Sequence, residues 1–254
     1  MLHGREDSRE TRLLGRDLLE VWVRSLFLQS AWNARGMQHV GFCFAMLPVL
    51  RRLDLRGRQA RAFLERHLAF FNTNPVLSSY AIGAAAAAET RGPDAQEPSP
   101  EEIKSALAGP LGMAGDSLMW SSVRPLAAFV GLALALVGRP IAGVVALLVV
   151  YNAFHLVFRW RGLVAGVSKG TAAVDEVLGP GFRRLVTLAR GAGAFAAGVV
   201  VAIAVVGSEI ALPAALVVGG SFFVLGLAAC AARVPATLVG IGGAVGGLLF
   251  VALR

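Results

Sequence analysis

Residues 141–158 read IAGVVALLVVYNAFHLVF, eighteen positions without an Asp, Glu, Lys or Arg. A helix crossing a bilayer needs about 20 predominantly apolar residues, within a range of about 17–25. The run meets that length and is too long for a single buried strand. Working outward, further uncharged runs occupy 126–138, 192–208, 210–232 and 234–253, separated by Arg139-Pro140, Glu209 and Arg233. All but the first reach spanning length. Run 126–138, with thirteen residues, predicts a half-span, a re-entrant piece or the first part of a broken helix. Gly and Ala recur throughout, as in GIGGAVGG at 240–247. In lipid, apolarity drives no association between helices, and small residues let their backbones approach.

The whole composition agrees. Of 254 residues, 56% are hydrophobic and 16% charged, and the mean hydropathy is +0.66. Soluble domains carry about 25% charged residues. The net charge of +8 raises nucleic-acid binding as a rival, but that needs a basic stripe on a solvated fold. Here the arginines cluster at the ends and joints of apolar runs, as membrane-flanking residues do, so no nucleic-acid partner is expected. Cys43 and Cys230 lie far apart in apolar surroundings, giving neither a disulfide framework nor a metal site. The first twenty residues are polar and charged. They predict no cleavable signal, so insertion would use internal segments. Arg159, Arg161, Lys169, Arg183, Arg184 and Arg190 fall between two spans, and the positive-inside rule places such a loop in the cytoplasm.

The N-terminal half is less simply membranous. Residues 17–50 form an apolar stretch of mostly helical period, carrying Gln29, Asn33 and Gln38 and ending near Pro48. Those amides call for burial against other helices or a water-filled cavity. In 51–71, apolar Leu53, Ala60, Phe63, Leu64, Leu68 and Phe71 recur at helical spacing among arginines. The pattern predicts a basic amphipathic helix at the membrane surface, with a helix packed on protein as its bland alternative.

Two breaks follow. FFNTNP at 70–75 ends on a proline, which disfavours helix at Asn74. AGPLGMAGDSLMW at 108–120 holds three glycines and a proline ahead of Asp116; Asp116 or Ser117 would cap the helix that follows, or serve a ligand. Irregular backbone at membrane depth is tolerated where it is buried in protein or lines a cavity, and transporters place substrate at interrupted helices. Between the breaks lies a polar, proline-rich loop at 90–100. Ser99-Pro100-Glu101-Glu102 then reads as a helix start, with Ser as N-cap and Pro in the first turn. The reading is an all-α integral membrane protein: a polar arm at 1–16, amphipathic and broken or re-entrant helices at 17–120, and several transmembrane helices at 121–254. No nucleophile–base pair and no phosphate-binding loop appears.

The motifs, taken in order, resemble one family. RS-x-x-x-Q-x-x-WN from Arg24 to Asn33, MQ-x-x-GFCF from Met37 to Phe44, and RHL-x-FFNT-x-P from Arg66 to Pro75 come first. Lys104, GPL-x-x-x-GD from Gly109 to Asp116, Trp120, Arg124-Pro125, Tyr151-Asn152 and the Gly166/Gly170 pair follow. Together they resemble the IID subunits of mannose/fructose/sorbose-type phosphotransferase system (PTS) permeases. The pattern departs from the family at GPLGMAGD, where GPLAGIGD is usual, and in lacking a polar insertion between the late apolar runs.

The resemblance implies a non-catalytic, multi-pass subunit of the bacterial inner membrane with no cofactor. It would pair with a IIC subunit to translocate a hexose, in a trimer of such pairs. Separate IIA and IIB components would phosphorylate the sugar at the cytoplasmic face. The alternative is a non-transporting scaffold or regulatory subunit of a reduced system. His67 is then a structural hydrogen-bonding group and not a phosphoacceptor. Hexoses take amide and carboxylate partners for their vicinal hydroxyls and aromatic faces for ring C–H groups. Asn72, Thr73, Asn74 and Asp116 are the candidates for the first, and Trp120 or Trp32 for the second.

Overall fold

The computed structural model describes residues 13–91 and 98–206, and among these the chain is helical with no β-strand. Helix α1 (Gly15–Ser25) and α2 (His39–Arg52) are followed by α3 (Gly57–His67) and α4 (Ser78–Arg91). Beyond the second described start lies α5 (Pro100–Gly115), a π-helical segment (Asp116–Val123) and α6 (Arg124–Leu136). Then come α7 (Pro140–Lys169), a 3-10 turn (Gly170–Val174), α8 (Asp175–Leu178) and α9 (Pro180–Val206).

Among the described residues three stretches are long and apolar enough to cross a membrane: Pro100–Leu136, Pro140–Leu178 and Pro180–Val201. The first joins α5, the π segment and α6 into one rod. Ser99 starts it as the sequence predicts: its Oγ accepts from Glu102 N at 3.2 Å, while Ser99 N donates to Glu102 Oε2 at 2.7 Å. That reciprocal pair satisfies two donors of the first turn.

The second expected break is absent. Residues 108–120 stay helical, and run 126–138 is the end of a long helix and not a half-span. Gly112 and Gly115 serve contact and not reversal. A Cβ on Gly115 would lie 2.3 Å from Asn74 Cβ, and one on Gly112 would lie 3.6 Å from Thr73 Oγ1. The helix is thinned where segment 72–75 crosses it. Its irregularity is expressed as π winding, which ends at Arg124-Pro125, where proline offers no donor to the ladder. Ser122 Oγ donates instead to Ser117 O at 2.7 Å. Asp116 therefore caps no helix start.

Helices α6 and α7 form a hairpin turned at Gly138, whose φ of +80° suits glycine, with Pro140 opening α7. They touch through Gly131 and Gly143; a Cβ on Gly143 would lie 2.4 Å from Gly131 O. The outward faces are apolar: Ile141 is 80% exposed and Phe195 on α9 is 75% exposed. Such area in water would be a liability, and in hydrocarbon it is the normal surface.

At the centre lies α4, whose residues 78–87 are all buried. Its alanine run permits close approach on every side, and α7 presses on it through Gly162 and Gly166. Helix α7 also corrects the expected cytoplasmic loop. Arg159, Arg161 and Lys169 belong to the helix, and Arg183, Arg184 and Arg190 to α9. The connection is only the short 170–179 stretch. Arg159 needs no aqueous loop because backbone carbonyls receive its guanidinium.

Stretch 17–50 forms two helices, divided by turns at 26–38. Asn33 Oδ1 accepts there from Arg35 N at 3.1 Å and Gly36 N at 3.0 Å, and Met37 has φ +58°. Helix α2 continues past Pro48 to Arg52. On α3 the apolar face turns inward: Phe63 and His67 are fully buried while Arg58 and Arg61 are exposed. It packs on protein, which corrects the membrane-surface expectation. The arm before residue 13, most of the 90–100 loop, Cys230, GIGGAVGG and the runs 210–232 and 234–253 lie outside the described residues.

Candidate functional site

Where segment 70–75 runs between α3 and α4 without regular structure, side chains from three other elements bond its backbone or the end of α3 that leads into it. Gln38, at the start of α2, clamps Thr73 twice: Nε2 donates to Thr73 O at 2.7 Å and Oε1 accepts from Thr73 N at 3.1 Å. This buried amide is bonded as its burial requires; Gln29, in contrast, is exposed. Lys104 on α5 is 2% exposed. Its Nζ donates to the carbonyls of Ala69 at 2.7 Å, His67 at 3.1 Å and Arg66 at 3.3 Å. These are carbonyls at the C-terminal end of α3, where a cation also meets the negative end of the helix dipole. Arg159, 1% exposed, donates to the carbonyls of Ser25 and Pro75 and, at 3.2 Å, to Ser25 Oγ.

The predicted site residues separate into two kinds. Thr73 and Asn74 are buried and engaged. Thr73 Oγ1 donates to Ala108 O at 2.7 Å; Asn74 Nδ2 donates to Asp116 Oδ1 at 2.9 Å, and its Oδ1 accepts from Val76 N at 3.0 Å. The irregular 70–75 segment and the π-wound stretch of the long helix therefore meet at the Asn74–Asp116 pair. Asn72 stands exposed between buried Phe71 and Thr73, and its side chain makes no hydrogen bond among the described residues. Trp120 lies one turn beyond Asp116, half exposed, with the Arg124 guanidinium 4.8 Å from its ring centroid. Trp32 is half exposed in the α1–α2 turns, and no bond or ring contact among the described residues joins it to the 72–75 segment or Asp116.

Beside this group His67 is stacked on Phe42, with centroids 5.8 Å apart, and its Nε2 lies 2.9 Å from Glu89 Oε1. Burial lowers the His67 pKa below its ordinary value, outweighing the pull of Glu89, so the ring is neutral and Nε2–H donates. Burial pushes the Glu89 carboxyl up, but hydrogen bonds from Arg66 and His67 prevail and hold it below its ordinary value. His67 is structural, as expected. Among the described residues no group of three His, Cys, Asp or Glu side chains is placed to hold a metal.

Sequence reading missed Arg159 and the acceptor Glu89. The signal for Arg159 was present, since apolar Leu163, Val164 and Val167 continue the helical pattern past it.

Comparison with known proteins fits this arrangement. The profile of the PTS system mannose/fructose/sorbose family IID component matches residues 12–215. The mannose-specific EIID component of Escherichia coli K12 is 34% identical over 191 residues, covering 74% of this chain and 67% of that protein. The sorbose-specific EIID component of Klebsiella pneumoniae is 36% identical over 189 residues, covering 73% and 68%. The fructose permease IID component of Bacillus subtilis is 32% identical, covering 76% and 71%. Among solved structures, the mannose transporter ManYZ with microcin E492 superposes with a TM-score of 0.59 at 33% identity, covering 75% of this chain and 71% of the matched one. By profile, sequence and fold alike, this bacterial membrane protein belongs to the mannose/fructose/sorbose family of PTS IID components.

Proposed function

We propose that this chain pairs with a IIC subunit in the inner membrane and contributes part of a hexose path there, with Asn72 as its principal sugar contact. The observation that carries the reading is the contrast at 72–74. Thr73 and Asn74 are spent on fixing the segment, whereas Asn72 presents an unengaged amide on backbone that Gln38 and Arg159 bond directly and that Lys104 anchors at its α3 end. Preorganised polar groups of this kind recognise hydroxyls at small entropic cost. Asp116, with one carboxylate oxygen on Asn74, keeps acceptor capacity for a sugar hydroxyl. Trp120 offers an aromatic edge, one of its faces being shared with Arg124.

The chain itself is a multi-pass translocation subunit without a catalytic role. IIA and IIB components phosphorylate the sugar at the cytoplasmic side, and IIC–IID pairs assemble as trimers. Mannose, fructose and sorbose define the substrate class, since they name the relatives' specificities.

The test is Asn72→Ala, with uptake of radiolabelled mannose, fructose and sorbose in cells carrying the complete system. Loss of hydrogen bonds worth about 1.5 kcal/mol should raise the half-saturating concentration of the transported sugar about tenfold. Co-purification with IIC should be unchanged. Unaltered uptake removes Asn72 from the path. Intact assembly without any sugar movement by the parent protein would favour the scaffold role.

A further inference from the structure

Arg159 lies on α7, within the most apolar of the described spanning stretches, yet its side chain is the largest of the fully buried ones among the described residues. It has no carboxylate partner among the described residues. A buried cation without a counter-charge is expensive even when carbonyls solvate it, so a purely structural contact between α1 and α7 gives no reason for it. What the guanidinium does, and an apolar side chain would not, is hold two elements at once. One terminal nitrogen serves Ser25 O and Oγ at the end of α1; the other serves Pro75 O, the last residue of the 70–75 segment. Those carbonyls belong to parts of the chain about fifty residues apart.

We infer that Arg159 is a positioning residue: a strut from α7 that fixes segment 70–75 against the end of α1 and so sets where Asn72 stands. The relevance to sugar rests on the function proposed above; the strut itself does not. The planar fork is essential, because its donors are set at fixed angles and reach two carbonyls together. A lysine keeps the charge but gathers its donors on one nitrogen, and so cannot set one donor on Ser25 and a second on Pro75 in the fork's fixed geometry. Pro75 is also where α4 is about to begin. Its carbonyl accepts from Ser78 Oγ at 2.7 Å as well, so freeing it loosens the first turn of α4 along with the segment.

The experiment uses the full chain assembled with its partner in membranes, with Cys43 and Cys230 replaced by alanine. A cysteine is placed at Val76, which is 3% exposed, or at Ala86, which is fully buried in the middle of α4. Labelling by a membrane-impermeant maleimide is followed with and without Arg159→Lys. Loss of a charge-assisted bond should open the segment and speed Val76→Cys labelling about tenfold, leaving Ala86→Cys as protected as before. Sugar half-saturation should rise while the maximal uptake rate is kept.

Equal protection of Val76→Cys in both backgrounds overturns the inference. So does a parallel rise at Ala86→Cys, since Arg159 would then merely hold the fold together. Ser25→Ala deletes one acceptor remote from the segment and spares the carbonyl. It should speed Val76→Cys labelling about twofold by the same reasoning, and no change there breaks the link to α1. Faster labelling at Val76→Cys with unaltered sugar saturation upholds the strut and counts against the sugar site instead.

Discussion

Gly166→Ala would test whether the α4–α7 contact organises this molecule. A Cβ at position 166 would stand 2.3 Å from Tyr80 O, 2.7 Å from Ala84 N and 3.0 Å from Gly83 C. All three are backbone atoms of α4, so no side chain can swing aside. Carbon–oxygen contacts settle near 3.4 Å, so the helices must part by roughly 1 Å along their shared face, which forfeits a quarter to a half of the dispersion at each affected contact. Overpacking of this kind costs about 1–3 kcal/mol. For a chain of this size each kcal/mol corresponds to about 2–4 °C, so the apparent melting temperature should fall by about 2–12 °C. The assay is a fluorescence thermal scan of the purified protein in mild detergent. Gly191→Ala on α9, with nothing within 4 Å of its added Cβ, should be neutral or gain about 0.5 kcal/mol from helix propensity. If Gly166→Ala melts with the parent, or if both variants fall alike, close glycine packing is not what holds α4 to α7.

Two further outcomes follow from the buried groups. Lys104→Met leaves the carbonyls of Arg66, His67 and Ala69 without their donor and should cost about 2–3 kcal/mol, read as a lower melting temperature. Folding holds both His67 and Glu89 below their ordinary values of 6.5 and 4.5. The unfolded chain therefore takes up protons that the folded one refuses. Stability from both groups is complete above pH 6.5, declines as pH falls below that value and declines further below 4.5. His67→Gln should abolish the upper part of that decline, and a melting-temperature profile that stays flat from pH 7 to 5 in the parent would contradict the neutral, buried assignment.

Periodicity and charge exclusion are local properties, and they carried far in this sequence. Apolar runs fixed the helical membrane class, Ser99–Glu102 marked a helix start correctly, and the ordered motifs named the family. Local signals failed where a residue's role is set by what crosses it. Gly112 and Gly115 looked like helix breakers because glycine has the same propensity whether it ends a helix or receives another chain. Their purpose shows only once segment 72–75 lies against them. Arg159 looked like a loop residue because its partners, Ser25 and Pro75, are 134 and 84 positions away. The inward face of α3 was likewise undetermined, since amphipathicity states that a helix has an apolar side and not whether lipid or protein covers it. The sequence by itself determined which stretches leave water and which family the chain joins. Which polar groups of 72–74 are spent on the scaffold and which stands unengaged shows only in the folded chain, because hydrogen-bond satisfaction is a property of neighbours in space and not of neighbours along the chain.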